Sequence, residues 1–190
     1  MTDQSRVGFI VIAALAAGGA LAASNSFPAK PAPKLHSALQ IKPGLWEFYD
    51  AARVAGDTVF PDAVLAGVPA AQRARHLAEL RQMIAQPSRE RECISQATFE
   101  QRVFSLETGC SRTIASNTAG KLEIVTECRG GSGNFEQYKS GKILATSGTS
   151  VITSFHAVST QGGKTMTVDS LERGHWVASS CGNISGIQQF

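Results

Sequence analysis

The segment from Cys110 to Cys128, CSRTIASNTAGKLEIVTEC, constrains the fold of this chain more than any other. Its two halves carry apolar residues at alternate positions on either side of Thr118–Gly120. This pattern predicts a β-hairpin with a three-residue turn, in which the final glycine takes a positive φ. Such a turn places Asn117 opposite Lys121, and the alternation of strand side chains then places the two cysteines opposite each other on one face. The segment therefore predicts a cross-strand disulfide above an apolar patch.

The chain contains four cysteines, and none of them belongs to a Cys-x-x-Cys pair. A structural zinc site is the rival interpretation, but it normally uses closely spaced pairs, and these spacings are wide. If Cys110 pairs with Cys128, the remaining bond joins Cys93 to Cys181. An even number of paired cysteines predicts a protein of an oxidising compartment.

The N-terminal residues have the layout of a secretory signal. Arg6 precedes the apolar run VGFIVIAALAAGGALA, which ends in a small-x-small cleavage pattern. We therefore predict a signal peptide at 1–22, cleaved after Ala22, and a periplasmic or secreted location. The alternative is an uncleaved signal anchor, the one case in which we expect the membrane as a partner. The proline-containing segment 23–40 predicts a disordered linker.

Residues 41–190 predict a single β-rich domain with a helical insertion at 69–86. The segment AAQRARHLAELRQMIAQ has helical apolar periodicity and lies between Pro69 and Pro87, which favour its start and its end. The remaining segments are rich in β-branched and aromatic residues and are separated by glycine turns. KTMTVDSL and HWVASSC are interpreted as separate strands, and RERECIS as an edge strand because charge occurs on both of its faces.

We expect about six to seven strands and one amphipathic helix. The predicted class is mainly β or α+β: an antiparallel meander sheet or a partly closed barrel, stapled by disulfides.

Three aromatic residues are candidates for ligand binding: Trp46 and Phe48, on one face of the first strand, and Trp176 near the end of the chain. Aromatic residues at strand spacing usually pack in a core. A stacking platform for a ligand is the alternative.

No catalytic residue is predicted, because the chain lacks the spacings of the common nucleophile, phosphate-binding, zinc-protease and calcium motifs. His156, His175 and Asp169 are the alternative candidates for a metal or hydrolytic site, since imidazole and carboxylate are ordinary ligands. Two scattered histidines are more often polar residues satisfied by their neighbours. We expect no cofactor.

The net charge of +3 comes from 18 basic and 15 acidic residues without a basic stripe. Such a balance gives no electrostatic surface for nucleic acid, so we exclude a nucleic-acid partner.

Pro43–Glu47 and the order of the four cysteines, Cys93, Cys110, Cys128 and Cys181, carry a family resemblance. The chain resembles the bacterial domain-of-unknown-function family number 3617, whose members are small exported proteins opening with Pro-Gly-Leu-Trp-Glu. The resemblance implies a periplasmic, disulfide-bonded, β-rich domain of bacterial origin. The family carries no assigned reaction, so no catalytic residue can be transferred.

The sequence thus favours a non-enzymatic binding or envelope-accessory module. Its partner is not identified by any motif, and an envelope protein or a small apolar molecule is the class that we expect. The alternative is a hydrolase or metal-binding enzyme that uses His156, His175 and Asp169.

Overall fold

An antiparallel β-sheet organises this protein, as seen in a computed structural model that describes residues 38–104, 109–129, 134–184 and 188–189. The predicted signal peptide and most of the predicted linker lie outside these residues. The strands are β1 (Gly44–Gly56), β2 (Ser88–Ile94), β3 (Cys110–Asn117), β4 (Lys121–Arg129), β5 (Glu136–Ser147), β6 (Ser150–Gln161), β7 (Lys164–Ala178) and the two-residue β8 (Gln188–Gln189).

The strand order is β3-β4-β5-β6-β7-β1-β2-β8. The predicted meander is confirmed from β3 to β7, and seven long strands agree with the expected number. The last long strand differs from expectation, because the two segments that we interpreted separately form one 15-residue strand, β7. Gly174 lies inside this strand, opposite Phe48 of β1, and does not interrupt the pairing.

The sheet is open but strongly curved. A flat sheet would separate β3 from β2 by about 29 Å, from six inter-strand spacings of about 4.8 Å. The nine-residue helix α2 (Gln96–Phe104, numbered after the helix α1 described below) follows β2 and spans only about 13 Å, yet it packs in one apolar cluster with both β2 and β4. In addition, the Arg112 guanidinium of β3 donates a hydrogen bond to the Val103 carbonyl of α2. The two sides of the sheet therefore approach each other across a concave face.

The predicted helix is confirmed: a 3₁₀ turn at Ala70–Gln72 leads into α1 (Arg73–Ala85). It packs against the C-terminal part of β1, beyond the residues that pair with β2. Arg81 donates hydrogen bonds to the carbonyls of Val54 and Asp57. Ile84 is buried, whereas Met83 and most of the other α1 side chains are exposed. The apolar stripe of α1 therefore makes a narrower contact with the sheet than its periodicity suggests.

In the hairpin of β3 and β4 the cysteines pair as predicted, but the turn differs from the predicted one. Thr118 and Lys121 exchange backbone hydrogen bonds, so the turn has two residues, and Asn117 faces Leu122. The predicted three-residue turn is thus wrong, and Gly120 has no positive φ. A bulge between Ile114 and Ser116 adds one residue to β3, which restores the register that opposes the cysteines.

Both predicted disulfides are confirmed. Cys110–Cys128 and Cys93–Cys181 are at bonding distance, and the described residues include no free cysteine. Disulfides of this kind indicate a protein of an oxidising environment outside the cytoplasm.

The concave face buries two separate apolar clusters. The larger one contains Trp46, Phe48 and residues of β2, β4, β5, β6 and α2, together with Leu39 and Ile41. Leu39, which the sequence placed in the linker, is completely buried there. The smaller cluster, of Val59, Phe135 and Met166, lies where the loop after β1 covers the far end of the sheet.

Candidate functional site

Trp46 and Phe48 lie where the first strand crosses the larger cluster. They are 1% and 4% exposed, and their rings stack with centroids 6.0 Å apart. A ligand would have to displace the protein's own core to reach either ring. The geometry therefore supports packing for this pair rather than a ligand platform.

Trp176, the third aromatic candidate, helps to fasten the start of the domain. Its indole Nε1 donates to the Pro43 carbonyl at 3.0 Å, and the Trp46 indole donates to the Lys42 carbonyl at 2.8 Å. The Lys42 ammonium lies 3.5 Å from the centre of the Trp176 ring, a cation–π contact. At Gly44, with φ of 135°, a Cβ would stand 2.2 Å from the Ala178 carbonyl oxygen. Three of the five opening residues, Pro43, Gly44 and Trp46, are thus explained by two indole hydrogen bonds and a close backbone approach.

His156 and Asp169 are neighbours on the convex face, opposite each other on β6 and β7. The His156 Nδ1 and Asp169 Oδ1 atoms are 2.6 Å apart, and both side chains are largely exposed. His175 lies on the same face of β7, six residues from Asp169, or about 20 Å along the strand. The structure therefore joins two of the three residues and separates the third. Within the described ranges, no group of three or more His, Cys, Asp or Glu side chains is placed to hold a metal ion.

A band of polar residues runs along the concave face, from beside the larger apolar cluster to beside the smaller one, and sequence reasoning missed it. Strand alternation places these side chains on the same face as Trp46 and Phe48. Its buried members are Glu90 and Glu92 of β2, Glu172 of β7, Thr126 of β4, and Thr153 and Ser159 of β6. Three carboxyl groups facing the inside of a small sheet are unusual, because charged groups are seldom fully buried.

The middle of this band is open to water. Ala52 of β1, Ser170 of β7 and Ala157 of β6 are small, lie on the concave face, and are nevertheless only half-buried. Small side chains on a covered face would be fully buried, so the described residues leave the space above them partly open. We call this space the trough. Half-buried Asp50 lies on one side of its floor and half-buried Lys139 on the other.

The electrostatic character of the trough is set by its carboxyl groups. Asp50 and Glu172 oppose each other on β1 and β7, so their Cβ atoms are about 5 Å apart. Burial raises the pKa of the Asp50 carboxyl above its usual value, and a backbone hydrogen bond at Ala51 offsets part of this effect. On the other side, Arg112 donates from Nε to the Thr126 hydroxyl at 3.1 Å. The trough thus has a carboxyl-rich side and a basic side.

The sequence does contain a pattern that could have located the carboxyl side. Asp50 follows Trp46 and Phe48 at strand spacing, and Glu172 precedes Gly174 and Trp176 in the same way. An acidic residue two positions from a core aromatic residue must face the core, wherever the strand is continuous.

Within the part of the chain that the structure describes, no helix is both long enough and apolar enough to cross a lipid bilayer. A family model described as "Protein of unknown function (DUF3617)" matches residues 41–181, from the predicted start of the domain to its last cysteine. No curated protein and no solved structure matches the chain. The resemblance drawn from the opening motif and the cysteines is therefore confirmed, and the chain belongs to the DUF3617 family.

Proposed function

We propose that this chain is a non-enzymatic binding module of the bacterial periplasm, and that it holds a small polar ligand carrying positive charge in the trough. The observation that carries the proposal is the incompletely buried floor of Ala52, Ser170 and Ala157 beside the partly desolvated carboxyl of Asp50. The predicted signal peptide and the disulfides support the location.

The class of ligand follows from which parts of the concave face are accessible. Both apolar clusters are filled by the protein's own side chains, including Leu39 at one end and Val59 at the other. The accessible middle is polar and bears Asp50 next to Glu172. A polar ligand therefore fits better than the small apolar molecule expected from the sequence.

A cation suits this site because the Asp50 carboxylate has lost part of its hydration. A desolvated carboxylate gains more from a nearby opposite charge than a fully hydrated one does. Since the cation binds the ionised form, its affinity should rise as the pH passes upward through the raised pKa of Asp50.

Titration calorimetry with putrescine, a diamine, and with 1,4-butanediol, its uncharged counterpart, tests the proposal. We expect putrescine to bind, butanediol not to bind, and Asp50→Asn to weaken putrescine binding. Asp57→Asn, a matched change outside the trough, should leave it unchanged. Equal binding by the protein and its Asp50→Asn variant would refute the site. Native mass spectrometry of protein purified from periplasm should show a bound molecule, and finding only bare protein there would count against the function.

A second candidate, a hydrolase, is favoured by the 2.6 Å contact between His156 and Asp169. Ser140 of β5 lies opposite His156, so a serine, a histidine and an aspartate follow one another across three strands. Against this candidate, the pair lies on an exposed sheet face whose backbone N–H groups are used in the strand ladders, which leaves no oxyanion hole. Ester hydrolysis that is abolished by both Ser140→Ala and His156→Gln would establish it, and unchanged background hydrolysis would dispose of it.

A further inference from the structure

We infer that the convex face of β2, β1 and β7 docks on an anionic phospholipid surface. The residues that form this docking face are Arg89 of β2, Tyr49 of β1, and Leu171, Arg173 and Val177 of β7. All five are exposed, and they lie on the side of the sheet opposite the trough.

The centre of the docking face is a row of three residues across neighbouring strands. Tyr49 pairs with Arg89 on one side and with Arg173 on the other. Residues in such a row have Cβ atoms about 5 Å apart, so both guanidinium groups flank the tyrosine ring. Tyr49 is 40% exposed, a high value for a large ring in the middle of a sheet.

Apolar side chains continue the face along β7. Leu171 and Val177 are 36% and 40% exposed, and strand alternation places both on the same side as Arg173. Together with Tyr49 they form three of the five large apolar side chains that stay exposed in the described part of the chain. Scattered apolar residues need no explanation, but a group alternating with arginine indicates an amphipathic contact surface.

The arginines of the row are available for an external anion. The two nearby acidic residues already have partners: Glu47 pairs with Arg91 at 2.9 Å, and Asp169 with His156 at 2.6 Å. Among the described residues, neither Arg89 nor Arg173 takes part in an ion pair.

A phospholipid headgroup layer matches this combination. Guanidinium groups bind phosphate oxygens through paired hydrogen bonds, and tyrosine favours the boundary between water and apolar chains. Apolar side chains that project from a convex surface can enter a soft headgroup layer, whereas a free phosphate offers them nothing. The charge of the face is therefore complementary to an anionic lipid, and its shape is suited to a membrane rather than to a small anion.

The test is arginine footprinting of the full chain with phenylglyoxal, because it reports on each residue even if the N-terminal segment also inserts. Vesicles containing phosphatidylglycerol should protect Arg89 and Arg173, and vesicles of phosphatidylcholine alone should not. Arg73 and Arg75 of α1 serve as internal controls, since they are exposed but lie outside the docking face. Equal protection at all four arginines, or protection at none, would overturn the inference.

Two further arms identify the source of the phosphate and the contribution of the row. Soluble glycerol phosphate at the same phosphate concentration should protect neither residue, and full protection by it would assign the face to a free anion instead of a membrane. Arg173→Gln should reduce the affinity that protects Arg89 by about fivefold, the usual effect of one basic residue near an anionic surface. Arg75→Gln should leave it unchanged. Identical results for the two variants would refute the docking face.

Discussion

Gly174 provides the sharpest test of how the concave face is packed. It lies opposite Phe48, and a Cβ at this position would stand 2.4 and 2.7 Å from two ring carbons of Phe48 and 2.8 Å from Val151 Cγ2. Carbon atoms normally approach to about 3.5–4.0 Å. Gly174→Ala therefore requires a shift of about 1 Å in side chains that are both buried in the larger apolar cluster.

The expected loss of stability follows from what can move. Phe48 is stacked on Trp46 and cannot swing into solvent, so we expect the usual cost of overpacking, about 1–3 kcal/mol. Removing a glycine also restricts the unfolded chain, which offsets about 0.4–1 kcal/mol of this cost. The net loss, centred on about 1.3 kcal/mol, should lower the melting temperature by about 3–5 °C for a domain of this size.

Thermal and urea unfolding of the oxidised protein, followed by circular dichroism, measures this effect. Gly120→Ala is the matched control, because its nearest neighbour would be 3.9 Å away and its φ is not positive, so it should keep only the stabilising effect on the unfolded chain, about 0.4–1 kcal/mol. Phe48→Leu removes part of the obstructing ring, so the double variant should be more stable than the two single effects predict, by about 1 kcal/mol. Equal melting temperatures for Gly174→Ala and Gly120→Ala would refute the packing described.

Three other predictions concern stability. Replacing Cys110 and Cys128 together with serine should cost about 3 kcal/mol, from closure of the 18-residue separation; unchanged urea unfolding would show that the bond contributes little. Asp50→Asn should raise the melting temperature at neutral pH and leave it unchanged at about pH 3, because a carboxyl whose folded pKa is raised loses stability as the pH rises through that pKa. The same change at both pH values would contradict the burial of this carboxyl. Leu39→Ala should cost about 2–5 kcal/mol in the same assay, as for a fully buried leucine, and a negligible loss would exclude Leu39 from the core.

The cysteine pairing could be predicted from the sequence although the turn could not. A two-residue turn and one bulged residue on β3 shift the register by the same amount as the three-residue turn that we expected. The count of residues between the cysteines determines whether they oppose each other, and alternation determines that they share a face. The position of the bulge depends on local twist and on packing against other strands, which a single hairpin sequence does not contain.

The trough could not be predicted because alternation separates two faces without saying which one is covered. In β2 both faces carry charge, with Arg89 and Arg91 on one side and Glu90 and Glu92 on the other. Charge alone therefore suggested an edge strand exposed on both faces. In the structure, the two-residue β8 pairs with β2 at Glu90 and Arg91, so β2 is not the outermost strand. The curvature of the sheet turns the face of both glutamates inward, toward α2 and the N-terminal segment, where they are buried.

The positions of the disulfides explain how a sheet with a polar trough can remain stable. An open sheet whose concave face is divided by charged groups buries two clusters instead of one continuous core, and so gains less from apolar burial. Cys110–Cys128 fastens strand β3 at one side of the sheet, and Cys93–Cys181 fastens β2 at the other to the segment after β7. Cross-links between residues 18 and 88 positions apart restrict the unfolded chain. They therefore stabilise the folded state by about 3 and 4.5 kcal/mol, whatever the composition of the core. Because the disulfides stabilise the sheet from its outer strands, the central strands can carry Asp50 and Glu172 next to an accessible floor.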